Sequence, residues 1–233
     1  MAERPIYIPR YESELFVETK YIEFEWFPGL APIQKQKSIK SLHKSAKESG
    51  ICRHPLEVSS KSVEALGIEL SAFNLRVRTE KHNREFTVES AYQSSKVFQN
   101  GGPYKDLLYG PSLAAKKDPR LKDSGAIIGF EFFGTTWTLE PRTAFYDWLY
   151  INALRKNPNA VEELDGFDGF TDIEFNPKKS LNCQAYSVAL FKSLKGRGLL
   201  ADALTSKEAF LDVIGNRPIN TANENTLTQS RLL

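Results

Sequence analysis

Cysteine is scarce in this chain, with only Cys52 and Cys183 present. A disulfide-stapled secreted scaffold needs more, so covalent cross-links are not expected to hold the fold. Neither cysteine lies in a CxxC pair. The three histidines, His43, His54 and His82, lack metal-ligand spacing, so no zinc or other metal site is expected. Long apolar runs are also missing. None approaches the roughly 18–20 residues that a membrane span needs. The opening residues, MAERPIYIPRYESELF, carry charge and prolines where a secretion signal would carry an apolar stretch. A soluble, cytoplasmic protein is therefore the expectation. Neither a Walker-type GxxxxGK loop nor a GxGxxG turn occurs, and no EF-hand pattern is found. The net charge of +2 is too small to mark a nucleic-acid binder, and it does not exclude one. There is no internal repeat and no low-complexity linker.

What remains is the balance of a globular protein. The 233 residues, 41% hydrophobic and 26% charged, suffice for one large domain, or a domain with an extension, around a substantial core. KYIEFEWF at 20–27 alternates charged and apolar side chains, which predicts a half-buried strand ended by Phe27-Pro28-Gly29. The segment 32–49 reads as a helix with Pro32 in its first turn and Gly50 at its stop. Ile39, Leu42 and Ala46 form its apolar stripe, and lysines, among them Lys40 and Lys44, cover the remainder. Such a face is either simply solvated or a contact surface for nucleic-acid phosphates. Residues 62–78 look extended or turn-like. FTVESAYQSSKVF at 86–98 looks helical and stopped by NGG at 100–102, with a short turn around 104–109 after it. SLAAKKDPRLK is a helix broken by Pro119, and GAIIGFEFFG is either a strand or a buried turn. Pro141 opens a long helix that Pro158 ends. LDGFDGFTDIEFNPKKS reads as a long loop. Ser180 is placed to N-cap the helix after it, and Thr205 with Glu208 has capping-box spacing for a last helix closed by Gly215. The expected class is α+β, predominantly helical with a small sheet. The expected division is an extension at 1–65 packed on a core domain at 66–217, with a polar tail at 218–233.

Two groups of residues invite a chemical reading. On the 86–98 helix, Thr87 as N-cap puts Glu89 at the second helical position, where the macrodipole favours a carboxylate by about 0.3–1 kcal/mol. Glu89, Gln93 and Lys96 then share one face. Alone, this describes a surface helix with an acid in its first turn, the commoner case. Turned inward, the same face offers a general base or a stabiliser of an oxocarbenium-like centre. The second group lies at 165–184. Asp168, Asp172 and Glu174 offer carboxylates, and Asn176 and Asn182 offer amides. Phe167, Phe170 and Phe175 offer faces for a base to stack on, and the helix start after Ser180 offers backbone donors for an anion. Cys183 reads as a packed, inert thiol.

Taken in order, these segments resemble the NADAR family, which has the YbiA-like fold. LSAF at 70–73 is similar to its LSNF-type segment: Ser71 and Phe73 match, and Ala72 replaces the Asn. FTVESAYQSSKVF resembles its W-P-S-x-E-x-Y-x-Q-A-x-K-F motif, with Glu89, Tyr92, Gln93 and Lys96 in register, Phe86 replacing the Trp and Thr87 near the Ser. SLAAKK resembles an A-A-R segment. FTDIEFNPKKSLNCQA resembles the closing motif, with Asn182 on its Asn, Phe170 near its Trp and Ala185 replacing its Gly. YQSSKVFQNGGPY and the closing segment together resemble the branch paired with DarT-type toxins, which attach ADP-ribose to guanine in DNA. The resemblance implies an antitoxin hydrolase that removes ADP-ribose from guanine in single-stranded or locally opened DNA and yields free ADP-ribose, with no metal or redox cofactor. Glu89, Asp172 and Lys96 would be catalytic. Ser71, Phe73, Asn74, Tyr92, Gln93, Phe170, Asn176, Ser180 and Asn182 would bind substrate, and Lys40 and Lys44 would contact DNA. Other NADAR relatives are linked to riboflavin-pathway intermediates, so an N-glycosidase for a small phosphorylated riboside stays open. So do a plain ADP-ribose reader and a binder that neutralises the toxin without catalysis.

Overall fold

The computed structural model describes residues 1–79, 83–177 and 180–215. In chain order its strands are β1 (Ala2–Pro9), β2 (Val17–Phe24), β3 (Pro55–Glu57), β4 (Arg76–Arg78), β5 (Glu85–Thr87), β6 (Lys96–Phe98), β7 (Ile127–Phe132), β8 (Thr135–Trp137) and β9 (Gly169–Thr171). The helices are α1 (Pro32–Glu48), α2 (Ala65–Glu69), α3 (Val88–Ser94), α4 (Ser112–Lys117) and α5 (Arg120–Asp123), then α6 (Ala144–Arg155), α7 (Pro158–Glu163), α8 (Gln184–Gly196), α9 (Leu200–Ala203) and α10 (Lys207–Ile214). Among the described residues helix accounts for 43% and strand for 20%, so the fold is mixed α and β and less helix-dominated than the sequence suggests.

The largest sheet has the order β2-β1-β9-β3. β1 and β2 pair antiparallel along their whole length, from Ala2 opposite Phe24 to Pro9 opposite Val17. β9 enters from far along the chain, antiparallel to β1 and parallel to β3. The first 65 residues thus supply three strands of a sheet whose fourth comes from residue 169 onward. Alternation assigns the two faces. Ile6 and Ile8 of β1 meet Ile22, Phe24 and the Ile39–Leu42–Ala46 stripe of α1. Tyr7, Leu56 and Phe170 face the main core, where α6 and α8 pack. The stripe and both ends of α1 fall where the sequence places them, with Pro32 in its first turn and Gly50 at a φ of +71° just past its end.

Other elements differ from expectation. FTVESAYQSSKVF is strand, helix and strand rather than one helix. Ser94 and Ser95 both turn their hydroxyls back onto the Ala91 carbonyl, at 3.0 and 2.7 Å, and close α3 there. This side-chain bonding competes with helix continuation. Val97 then suits the strand that follows, which pairs with β7. α6 starts at Ala144, and Pro158 opens α7 besides ending α6. Residues 62–78 contain α2 and β4. α8 is capped at Cys183 and not at Ser180, which is exposed. α10 is capped by Ser206, whose hydroxyl accepts from Ala209 N–H, and not by Thr205. The expected polar tail at 218–233 lies outside the described residues. Among those residues, no helix is long and apolar enough to cross a membrane.

Gly67 shows how tightly α2 is set on β3. A Cβ there would stand 2.0 Å from the Glu57 carbonyl oxygen and 2.4 Å from Ser62 Oγ. Gly67→Ala is expected to cost about 1–3 kcal/mol of stability in urea unfolding. An unchanged midpoint would mean that α2 is free to slide.

Candidate active site

The site is organised around α3. Thr87 caps it: its hydroxyl accepts from Ser90 N–H at 3.2 Å, and Ser90 Oγ accepts from Thr87 N–H at 3.1 Å. Serine fills the return position of this capping box, so Glu89 is left out of the cap. Glu89 is only 6% exposed, as is Gln93. The polar face of the helix is therefore turned inward and is not a solvated surface. Gln93 Nε2 donates to Glu89 Oε1 at 2.8 Å. Among the described residues the other amide atom, Gln93 Oε1, is buried and has no hydrogen-bond donor. An acceptor left that way costs on the order of 1–3 kcal/mol, so it is an open position for a ligand donor.

Two amines flank the carboxylate. Lys116 Nζ lies 3.8 Å from Glu89 Oε1 and 4.8 Å from the centre of the Phe73 ring. The spacing predicts Lys96 on the helix, but the helix ends at Ser94. Lys96 arrives on β6, with Nζ 4.8 Å from the centre of the Tyr92 ring. Burial depresses the Lys96 ammonium to about 8; the Glu89 charge works against that depression and Lys116 adds to it. Tyr92 is packed against Phe130, Phe145 and Tyr146. Burial raises its phenol to about 12, opposed by the bond from Asn182 and supported by Glu89. Asn182 Nδ2 donates to the Tyr92 hydroxyl at 2.7 Å, which joins the residues just ahead of α8 to α3.

The LSAF segment holds this cluster from below. Ala72 C=O accepts from Glu89 N–H at 2.8 Å. Ala72 N–H donates to Gln184 Oε1 at 2.7 Å, and Gln184 Nε2 donates to Asp172 Oδ2 at 3.1 Å. Asp172 thus bears on Glu89 through Gln184 and the Ala72 backbone, N–H on one side and C=O on the other. Its side chain is buried, and burial, with the Glu57 charge adding to it, pushes it up to about 8. Glu57 is raised for the same first reason and accepts from Ser59 Oγ at 2.6 Å, Thr171 Oγ1 at 2.7 Å and Ile173 N–H at 2.8 Å. Ser112 Oγ donates to the Phe73 carbonyl at 2.9 Å and lies 2.8 Å from Thr87 Oγ1, which fastens α4 to α3.

The candidate residues therefore divide. Glu89, Tyr92, Gln93, Lys96 and Asn182 come together, with Phe73 beside Lys116 and Asp172 one relay away. Phe170 is fully buried between β1 and β3 and has no ring face left for a base. Asn74 is exposed, and its amide donates to the Ile68 carbonyl at 2.8 Å, a turn contact. Ser71 is buried; its carbonyl accepts from the Asn74 and Leu75 N–H groups. Ser180 N–H donates to the Asn176 carbonyl at 2.9 Å. Asp168 accepts from the Arg53 and His54 N–H groups and ties β9 to the β3 region. Lys40 is exposed, and Lys44 faces Glu48 across one helical turn at 3.7 Å. The α1 lysine that reaches the 165–184 region is Lys35, 3.2 Å from Glu174. Sequence reasoning missed Lys116, although SLAAKK had been singled out, and it missed Gln184, whose partners are distant in the chain.

A family model described as DarT1-associated NADAR antitoxin matches residues 2–224. The chain belongs to that family. The match takes in β1, β2 and α1. A comparison with curated proteins found no match. The antitoxin identity and the association with a DarT1-type toxin follow from the family, in line with the resemblance carried by YQSSKVFQNGGPY and the closing segment GFTDIEFNPKKSLNCQA.

Proposed function

We propose that this antitoxin hydrolyses the N-glycosidic bond between ADP-ribose and guanine in DNA. The observation that carries this reading is a buried carboxylate, Glu89, with the Lys116 ammonium 3.8 Å from it and Lys96 within its electrostatic reach. Cleavage at ribose C1″ develops positive charge there, and a buried carboxylate answers that charge. Water oxygen bonds to C1″, and the C1″–guanine bond breaks. The electron pair goes to the guanine nitrogen, and one proton passes from the water, with Glu89 as acceptor, to the base. Lys116, half-exposed and adjacent, suits the diphosphate. Gln93 Oε1 is an acceptor for a ribose hydroxyl. The test is incubation with a guanine-ADP-ribosylated oligonucleotide. Release of ADP-ribose with recovery of unmodified DNA is expected. An intact oligonucleotide alongside cleavage of a small phosphorylated ribosylamine would move the activity to that substrate class.

Lys96 supports a second route. With its ammonium depressed to about 8, a fraction of the amine is neutral near neutral pH. It is then able to attack C1″ of a ring-opened ribose and form a Schiff base, expelling guanine before water regenerates the amine. If so, borohydride added during turnover leaves reduced ADP-ribose covalently on Lys96 and stops the enzyme, and Lys96→Met is not labelled. Undiminished turnover in borohydride without an adduct would restrict Lys96 to electrostatics.

A further inference from the structure

The β7–β8 hairpin turns through two residues, Phe133 and Gly134, with φ of +46° and +83°. Positive φ at both positions is the pattern of a type I′ turn, which Asn-Gly adopts most readily. A bulky aromatic at the first of them is a conformational outlier. The fold gains little from that ring, since Phe133 is 66% exposed. It leans on Phe132, at 4.5 Å between centroids, and on Phe86, at 6.2 Å. Phe86 is buried, and across it at 6.3 Å stands Tyr109, 42% exposed. The Arg84 guanidinium lies 4.5 Å over the Tyr109 ring. The acids nearby are already matched, Glu85 by Arg76 at 3.1 Å and Glu131 by Lys105 at 2.7 Å. Among the described residues neither Arg78 nor Arg84 has a carboxylate partner; Arg78 donates to the Asn83 side chain. Phe86 is three residues before Glu89 on the strand that runs into α3, so the patch adjoins the candidate active site.

Exposed aromatic rings beside guanidinium groups that have no carboxylate partner among the described residues are the elements of a stacking surface for unpaired nucleobases. Such surfaces tolerate any sequence, because every base has a π face. A duplex keeps those faces covered. We propose that Phe133 and Tyr109 form a stacking platform for bases of a single-stranded or locally opened DNA segment beside the modified guanine. Arg84 and Arg78 supply the positive field for its phosphates. The proposal rests on the reading that the substrate is DNA.

The turn itself provides the test. Asn suits the position better than Phe, so Phe133→Asn keeps the hairpin and removes the ring. By fluorescence anisotropy with an unmodified single-stranded oligonucleotide, Phe133→Asn is expected to bind about ten-fold more weakly, with an unchanged or higher Tm. Tyr109→Ala is expected to do the same, and Tyr109→Phe to bind as the wild type does. Turnover of the ADP-ribosylated oligonucleotide should fall in parallel, while an ADP-ribosylated guanine nucleoside is hydrolysed at the wild-type rate. Wild-type DNA affinity in Phe133→Asn overturns the proposal, as does equal loss on both substrates. Weakened binding of the DarT1-type toxin with unchanged DNA binding would assign the patch to a protein partner and overturn it too. If the wild type leaves modified DNA intact yet binds single strands in a Phe133-dependent way, the hydrolase reading falls and the platform stands.

Discussion

Glu89→Gln is expected to leave the fold intact and to slow ADP-ribose release by about 10²–10⁴-fold, the range that a positioned proton acceptor supplies. The substitution is nearly isosteric, and the new amide oxygen still accepts from Gln93 Nε2, so the bond at 2.8 Å has a replacement. What disappears is the negative charge, and with it the answer to positive charge at C1″. A second effect follows with a defined sign. The Glu89 carboxylate holds the Lys96 ammonium up against the depression due to burial and Lys116. Without it, Lys96 titrates below its present value of about 8 and becomes more reactive toward amine reagents at neutral pH. Labelling rates across pH therefore check the electrostatics independently of turnover. Near-wild-type release by Glu89→Gln would remove Glu89 from the chemistry. Full protection of cells by a variant that releases no ADP-ribose would make the antitoxin a binder of its toxin.

Some of this site was legible because its signals are local. The position of Glu89 follows from the Thr87 cap two residues earlier, and α1 follows from one proline, one apolar stripe and one glycine. The closeness of Lys96 to Glu89 was inferred on the wrong geometry. A helix through residue 96 puts them on one face, whereas the chain closes the helix on two serines and brings the lysine back on a strand. Residues whose roles come from distant partners were opaque. β1 hides behind two prolines and finds its neighbours at residues 17–24 and 170. β9 is three residues long, too short for a period, so Phe170 looked like an available ring when it is a core strand residue. Gln184 matters because Ala72 and Asp172 meet it. Nor does any local pattern show that an acid will be buried, which is why Glu57 and Asp147, a buried residue of α6 that accepts from the Ser187 and Thr143 hydroxyls, carry no signal in the sequence.

Those buried acids set the response of stability to pH, and its sign is the reverse of the usual one for carboxylates. Burial raises Asp172 to about 8 and Asp147 to about 7, and it raises Glu57 as well. In the unfolded chain all three titrate near 4. Between those limits the native state holds more protons, so stability falls as pH rises. His43 opposes this. Burial lowers it to about 4 with Lys47 assisting, so its contribution is lost as pH falls from about 6.5 toward 4. The acids outweigh the one histidine. Acidification from pH 7 to pH 5 is thus expected to stabilise the protein by on the order of 2–3 kcal/mol, or roughly 5–10 °C in Tm. Below about pH 5 the trend reverses, because Glu18, Asp106 and Asp118, held low by their Arg and Lys partners, take up protons and release them. Glu57→Gln probes the coupling directly. Burial still holds Asp172 up, but a neutral amide in place of Glu57 removes the charge that adds to it, so Asp172 ionises at lower pH and the slope between pH 5 and 8 flattens. A Tm that falls steadily from pH 7 to pH 5 would mean that Asp172 and Asp147 are charged in the native state. The relay from Asp172 through Gln184 to Ala72 would then hold Glu89 by a charged carboxylate instead of a neutral acid.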